Sequence, residues 1–149
     1  MIDIIILICC TMCGYALGKY LEKRSVEKGQ FYQDLRKYVS QLKENIGGRN
    51  LEIDSYNSSF ASNSSRIFAD YLMAGKIKCR LSDTQKNNLN EFFGSLDCVS
   101  SEQLSAHIEY YEKVLLEDLR YVQEKEVARA AVYGKVGALI GAIIGILFM

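Results

Sequence analysis

GKVGALIGAIIGILFM, residues 134–149, is the stretch on which the reading of this chain turns. Its one charge is Lys135, and the apolar residues after it surround the helix instead of lining one face. A helix that is hydrophobic all round belongs in a core or a membrane. About 14 apolar residues follow Lys135, fewer than the ~20 that cross a bilayer. Extending back to Val132 gives about 18, with Lys135 reaching its amine toward the headgroups. Residues 132–149 are therefore expected to form a transmembrane helix. A buried core helix is the alternative, and it is disfavoured because a soluble core helix normally keeps a polar face.

The opposite end reads the same way. IDIIILICCTMCGYALG, residues 2–18, carries only Asp3, at its edge. As a helix it spans about 26 Å, slightly short of a ~30 Å hydrocarbon core, and snorkelling by Lys19 closes the gap. A cleaved signal peptide would begin with positive charge. Here the positive charges follow the apolar run, so a retained helix over residues 1–18 is expected.

Between the ends the composition changes. All 18 basic residues lie from Lys19 to Lys135, and Asp3 is the one acidic residue outside that window. The whole chain balances at 18 positive and 18 negative side chains, which points to no nucleic-acid partner. Residues 19–131 are expected to form a charged cytosolic domain. Lys19, Lys23, Arg24 and Lys28 follow the first apolar segment, and Lys125, Arg129 and Lys135 precede the second. The positive-inside tendency then puts the middle in the cytosol and both ends on the far side of a cell membrane.

The middle reads as all-α. The chain has no proline, so nothing interrupts the i→i−4 ladder. Phe31, Leu35, Tyr38, Leu42 and Ile46 repeat at helical spacing, and this helix is expected to continue the first membrane helix, bending at Gly29 and stopping at Gly47–Gly48. Residues 55–65 are dense in Ser and Asn and suggest a short helix or turn, with the serines in capping and turn roles. A helix is expected over 66–74, closed by Gly75. Ser82 and Gln85 have capping-box spacing, ahead of Leu89, Phe92, Phe93 and Leu96. Ser100 and Gln103 repeat that spacing. Leu104, Ile108, Tyr111, Leu115, Leu119 and Val122 then form a stripe with no breaker before Gly134. One long helix is expected to run from about Ser101 into the membrane, packing antiparallel to the 31–46 helix. Its Glu/Lys-rich face also permits a coiled coil. The fold class is thus a helical bundle between an N-terminal and a C-terminal transmembrane helix.

Two sets of residues are candidates for function. Gly137, Gly141 and Gly145 recur at four-residue spacing, as do Cys10, Gly14 and Gly18. Small residues in such a stripe let backbones approach closely in lipid, where the hydrophobic effect does not drive helices together. The stripes are expected either to pair with each other as a hairpin or to face other subunits, homo-oligomer included. Gln103, Tyr110 and Glu117 on the long helix are the candidate surface for a cytosolic partner.

No cofactor, metal or catalytic set is expected. The sequence holds no phosphate-binding glycine loop and no nucleophile elbow. Cys9, Cys10 and Cys13 fall in the apolar run, and Cys79 and Cys98 stand apart, without zinc-site spacing. His107 is the only histidine, and it reads as a packing or surface residue. The chain is not expected to be an enzyme.

GYALGKYLEKR (14–24), leading into FYQDLRKYVSQLKENI (31–46), and the stretch from LNEFFGSLD onward (89–149) together resemble stage III sporulation protein AB of endospore-forming Gram-positive bacteria. The resemblance is best over about the last 60 residues. These hold the FFGSLD helix end, Gln103, a long Glu/Lys helix, YGKVGALIGAIIGILF and an abrupt end. Where that family usually has a Thr-Pro-Leu-like segment, this chain has GGRNLEIDSY (47–56). The resemblance implies membership of the complex built between mother cell and forespore. It implies a cytosolic part similar to the helical platform domain of type II secretion and type IV pilus systems. It also implies a link between a cytosolic secretion-type ATPase and the membrane subunits of the channel. A platform or adaptor of a pilus, competence or type II secretion system, or a small membrane signalling protein, is the alternative.

Overall fold

The computed structural model describes residues 2–46, 53–96 and 101–147. Among these residues all regular structure is helical: α1 (Ile2–Ile46), α2 (Ile53–Asn63), α3 (Arg66–Ala74), α4 (Asp83–Leu96), α5 (Ser101–Tyr121), a π segment (Val122–Val127) and α6 (Ala128–Leu147). The chain divides into two compact units. One comprises residues 1–27 and 122–149, and the other residues 28–121. Among the described residues two helices are long and apolar enough to cross a membrane: α1, and the run of α5, π segment and α6.

In the central unit, residues 28–121, the helical periodicity of α1 is expressed as burial. Phe31, Tyr32, Leu35, Tyr38, Val39 and Leu42 are all buried. Helix α1 passes through Gly29 without interruption. The stop expected at Gly47–Gly48 lies outside the described residues.

The core around this face is aromatic. Tyr38 lies 5.1 Å from Tyr56, 5.2 Å from Phe60, 5.9 Å from Phe68 and 5.5 Å from Phe93, measured between ring centres. Phe31 stacks edge-on against Phe68 at 5.4 Å and Tyr71 at 5.6 Å. Tilted and edge-to-face pairs of this kind each add about 0.5–1.5 kcal/mol beyond the area they bury. Cys79 and Leu81, ahead of α4, and Leu89, Phe92 and Leu96 of α4 and Ile108, Leu115 and Leu119 of α5 are buried as well. Phe93 is only half-buried at the edge.

Helix ends follow local chemistry. Gly75 adopts φ +63 and its N–H donates to the Tyr71 carbonyl at 2.8 Å, closing α3 in the left-handed conformation that glycine takes without steric cost. At the start of α4, the Ser82 N–H donates to Gln85 Oε1 at 3.0 Å and the Gln85 N–H to Ser82 Oγ at 3.3 Å, a reciprocal capping box. The corresponding Ser100–Gln103 box involves Ser100, which lies outside the described residues, as does Cys98.

Two local expectations are corrected. The serine-rich stretch takes the helical one of its two expected forms, as α2, but its hydroxyls do not cap. Ser58 Oγ donates to the Asp54 carbonyl at 2.9 Å, Ser62 Oγ to Ser59 and Ser64 Oγ to Ala61. Short hydroxyls satisfy themselves on the preceding turn in this way. Ser65, at the N-cap of α3, makes no side-chain cap. Asp34 of α1 supplies the acceptor: the Ser65 N–H donates to Asp34 Oδ2 at 2.9 Å.

The second correction concerns the long last helix. It is continuous in direction of chain but not in type, because the π segment separates α5 from α6. Val122 and Ala130 are both fully buried. An uninterrupted α-helix at 3.6 residues per turn would leave them about 80° apart around the axis. The wider i→i+5 turns of a π segment absorb that offset, so both residues lie on the inner side.

Candidate functional site: the glycine-lined hairpin

The first unit is built on backbone contact. A methyl group on Gly14 would collide with the Gly137 carbonyl oxygen and stand 3.1 Å from Gly141 Cα. One on Gly18 would collide with the Tyr133 carbonyl oxygen and stand 2.9 Å from Gly134 Cα. On the facing helix, a methyl on Gly137 would collide with the Gly14 carbonyl oxygen and stand 3.2 Å from Gly18 Cα. One on Gly141 would collide with the Cys10 carbonyl oxygen and stand 3.0 Å from Thr11 Cα. One on Gly145 would stand 2.8 Å from Leu7 Cδ1, 3.1 Å from Leu7 Cα and 3.5 Å from Cys10 Cβ.

These contacts define an antiparallel hairpin: as numbers rise along α1 they fall along α6. Gly14, Gly18, Gly137, Gly141 and Gly145 all stand in one seam; at the first four a side chain would strike the backbone of the other helix, and at Gly145 it would press first on the Leu7 side chain, which can move. Close approach of this kind maximises van der Waals contact between backbones in lipid.

The seam also contains residues that the four-residue spacing alone does not single out. Gly134 and Ala130 are buried beside it. Together they extend the small-residue series to 130, 134, 137, 141 and 145, a mixed three-and-four spacing that keeps one face of an antiparallel pair in register. Thr11 hides its hydroxyl by donating to the Leu7 carbonyl at 2.8 Å. The hydroxyl is thereby satisfied within the apolar segment, where an unpaired donor is costly.

The outer surface of the hairpin is the reverse of a soluble protein. Ile4, Ile5, Ile8, Met12 and Leu17 of α1, and Leu139, Ile140, Ile143, Ile146 and Leu147 of α6, are all more than half exposed. Only 6% of the most apolar window of α1 is buried, and 22% of that of the second helix. A core helix of a soluble protein would be mostly buried. Cys9 and Cys13 face outward with the aliphatic residues, and Cys10 is half-buried at the seam.

In the central unit, Gln103, Tyr110 and Glu117 are all exposed. Seven-residue steps keep them in one stripe on α5, opposite the buried Ile108, Leu115 and Leu119. The stripe also carries Lys113 and Arg120, both exposed. Tyr110, with its ring edge-on to Tyr111 at 5.1 Å, and Tyr121 are its large exposed side chains. His107 is not isolated. Its Nε2 contacts Ser95 Oγ, its ring lies 4.6 Å from Tyr111, and Tyr111 donates its hydroxyl to Glu91 Oε2 at 2.9 Å. These contacts tie α4 to α5.

Burial raises the hydroxyl pKa of two tyrosines of the central core. Desolvation pushes the Tyr71 hydroxyl up to about 12. Desolvation, then the nearby Glu44 carboxylate, does the same for Tyr56, to about 12. Both stay neutral at physiological pH, and the Tyr56 hydroxyl donates to the Tyr38 carbonyl at 3.0 Å.

No protein-family model matches the chain, and no curated protein or solved structure is significantly similar to it.

Proposed function

We propose that the chain is a non-enzymatic membrane platform subunit of a secretion-like complex between mother cell and forespore in endospore formation. The observation that carries the reading is the inside-out hairpin: glycine backbones in contact within, aliphatic side chains exposed without. Lipid is the surrounding that such a surface suits. The resemblance of residues 89–149 to stage III sporulation protein AB supplies the biological setting.

On this reading residues 1–18 and 132–149 are the membrane anchors of a helical bundle domain. That domain is cytosolic, with both chain ends on the far side of the mother-cell membrane facing the forespore. The exposed Gln103–Tyr110–Glu117 stripe of α5 is the surface offered to a cytosolic secretion-type ATPase. Tyrosine and arginine, both exposed on this helix, are residue types favoured at protein contact centres. ATP hydrolysis comes from that partner, and the other membrane subunits of the complex assemble on the anchors.

The test is deletion of the gene in its own bacterium, followed by microscopy through sporulation. Arrest after the forespore forms, with vegetative growth unchanged, is the expected outcome. Normal spores would discard the sporulation role and move a pilus or secretion platform ahead of it.

A further inference from the structure

The polar residues of the hairpin gather at one end. Within residues 4–27 and 122–147 the cations are Lys19, Lys23, Arg24, Lys125, Arg129 and Lys135, two more than the acids Glu22, Glu27, Glu124 and Glu126. The antiparallel register brings them together from two distant parts of the sequence. Gly18 stands against Tyr133 and Gly134, and the Lys19 side chain crosses above Gly134, its Cε 3.5 Å from where a methyl there would sit. Lys19 is therefore level with Lys135. One further turn along the same register, Lys23 and Arg24 are level with Arg129.

Aromatic residues mark the same level. Tyr15 and Tyr20 are about half exposed, and the Arg24 guanidinium lies 5.6 Å from the centre of the Tyr20 ring. Tyr133 is on the facing helix. Glu22 is neutralised locally by Lys19 at 2.9 Å, while Lys23 reaches Glu27 only at 3.9 Å. The excess charge of the collar therefore rests mainly on Arg24, Arg129 and Lys135, all exposed. At the opposite end of the hairpin Asp3 is the one charged side chain.

We propose that this collar is a binding site for the phosphate headgroups of anionic phospholipids. The proposal rests on the membrane reading above and goes beyond it, since a hairpin can insert without selecting a lipid. Guanidinium groups offer forked donors that match phosphate oxygens, and exposed tyrosines sit naturally at headgroup depth. Attraction to an anionic surface grows with each added Lys or Arg. Two helices contributing to one ring concentrate more charge at one depth than either flank does alone.

The experiment uses the full chain, purified in detergent, and counts bound lipid by native mass spectrometry. The probes are phosphatidylglycerol and phosphatidylcholine in equal parts. Wild type is expected to retain phosphatidylglycerol over phosphatidylcholine by about tenfold or more. Replacing Arg24, Arg129 and Lys135 together by glutamine should remove that preference. Replacing Lys76, Lys78 and Arg80 of the central unit by glutamine deletes equal charge and should leave the preference intact.

Equal retention of both lipids would overturn the proposal, as would equal loss in the two triple variants. Displacement of the lipid by inorganic phosphate alone would also overturn it, by making the collar a free-anion site. Arg24→Lys with Arg129→Lys should keep binding, and helical content by circular dichroism separates lost charge from lost fold. Carbonate extraction of native membranes reads the underlying assumption separately: release of the wild-type chain would sink membrane insertion itself, whatever the lipid preference in detergent.

Discussion

The hairpin and the central unit solve opposite packing problems with the same helical backbone. In the central unit the large rings are inside: Phe31, Tyr38, Phe68 and Phe92 are fully buried, and the charges are mostly outside. In the hairpin the smallest residues are inside and the large aliphatic ones outside. On the membrane reading proposed above, the difference follows from solvent. Water rewards burial of apolar area at about 25 cal/mol per Å², so side-chain bulk belongs in the core. Lipid gives no such reward, so close backbone contact decides what is inside.

The largest effect should come from breaking the seam. A side chain at Gly141 meets the Cys10 carbonyl and Thr11 Cα, which are backbone and cannot swing aside. The hairpin supplies its own reporter. A Cβ at Gly145 lies 3.5 Å from Cys10 Cβ, within the range that a disulfide bridges. With Cys9 and Cys13 changed to serine and Leu7 to alanine for room, Gly145→Cys should crosslink to Cys10 on mild oxidation in membranes. Adding Gly141→Leu should abolish that crosslink. Undiminished crosslinking would mean that the seam tolerates bulk, and the contrast between the two units would fail.

The second test compares truncations. Phe68→Ala in the central unit should cost about 3–5 kcal/mol, as large-to-small core changes do. It should be read by denaturant unfolding of the full chain in detergent. Ile143→Ala, at a hairpin position 58% exposed, should leave the crosslink between Cys10 and the Gly145→Cys thiol unchanged, because lipid replaces the lost contact. Comparable damage from both changes would mean that the outer face of the hairpin is covered by protein.

A smaller effect is expected at the start of α4. Ser82→Ala removes the acceptor for the Gln85 N–H and should cost about 1 kcal/mol. Gln85 is itself buried, so Gln85→Ala should cost more than a surface cap would. Unfolding midpoints of the two variants check both statements. A null result at Ser82 would mean that Gln85 is held by burial alone.

How much of this was legible beforehand differs by element. Helix existence was legible from absent proline and from period: 31, 35, 38 and 42 all point into the core. Gly75 and the Ser82–Gln85 pair were legible because each acts within its own turn. The π segment was not. Val122–Val127 reads VQEKEV, and nothing local marks it; its cause is the phase mismatch between Val122 and Ala130, which shows only once both are known to be buried. Asp34 was missed for a related reason. It caps α3 from 31 residues away, where no local spacing rule reaches. At the seam, the four-residue rule found five glycines but passed over Gly134, which precedes Gly137 at the complementary three-residue step.

The smallest expected effect concerns a charge that the central unit holds at some cost. Desolvation raises the Asp118 carboxyl above its ordinary value, opposed by the Asn88 amide donating to its Oδ2 at 3.2 Å and by the Lys28 cation. A carboxyl whose native value lies above its unfolded one binds its proton more tightly when folded. Its contribution to stability is therefore greatest below the unfolded value and is lost as pH rises through the native one. At neutral pH the ionised form is a small burden, under about 1 kcal/mol after screening by the solvent that still reaches it. Asp118→Asn keeps an acceptor for Asn88 and removes the charge. It should raise the unfolding midpoint slightly at neutral pH and lose that advantage on acidification into the carboxylate range. The opposite sign, destabilisation at neutral pH, would mean that attraction between Asp118 and the buried Lys28 outweighs desolvation. The contrast between the units would then sharpen: the central unit would hold an ion pair that helps it fold, while the hairpin keeps its cations at its edge.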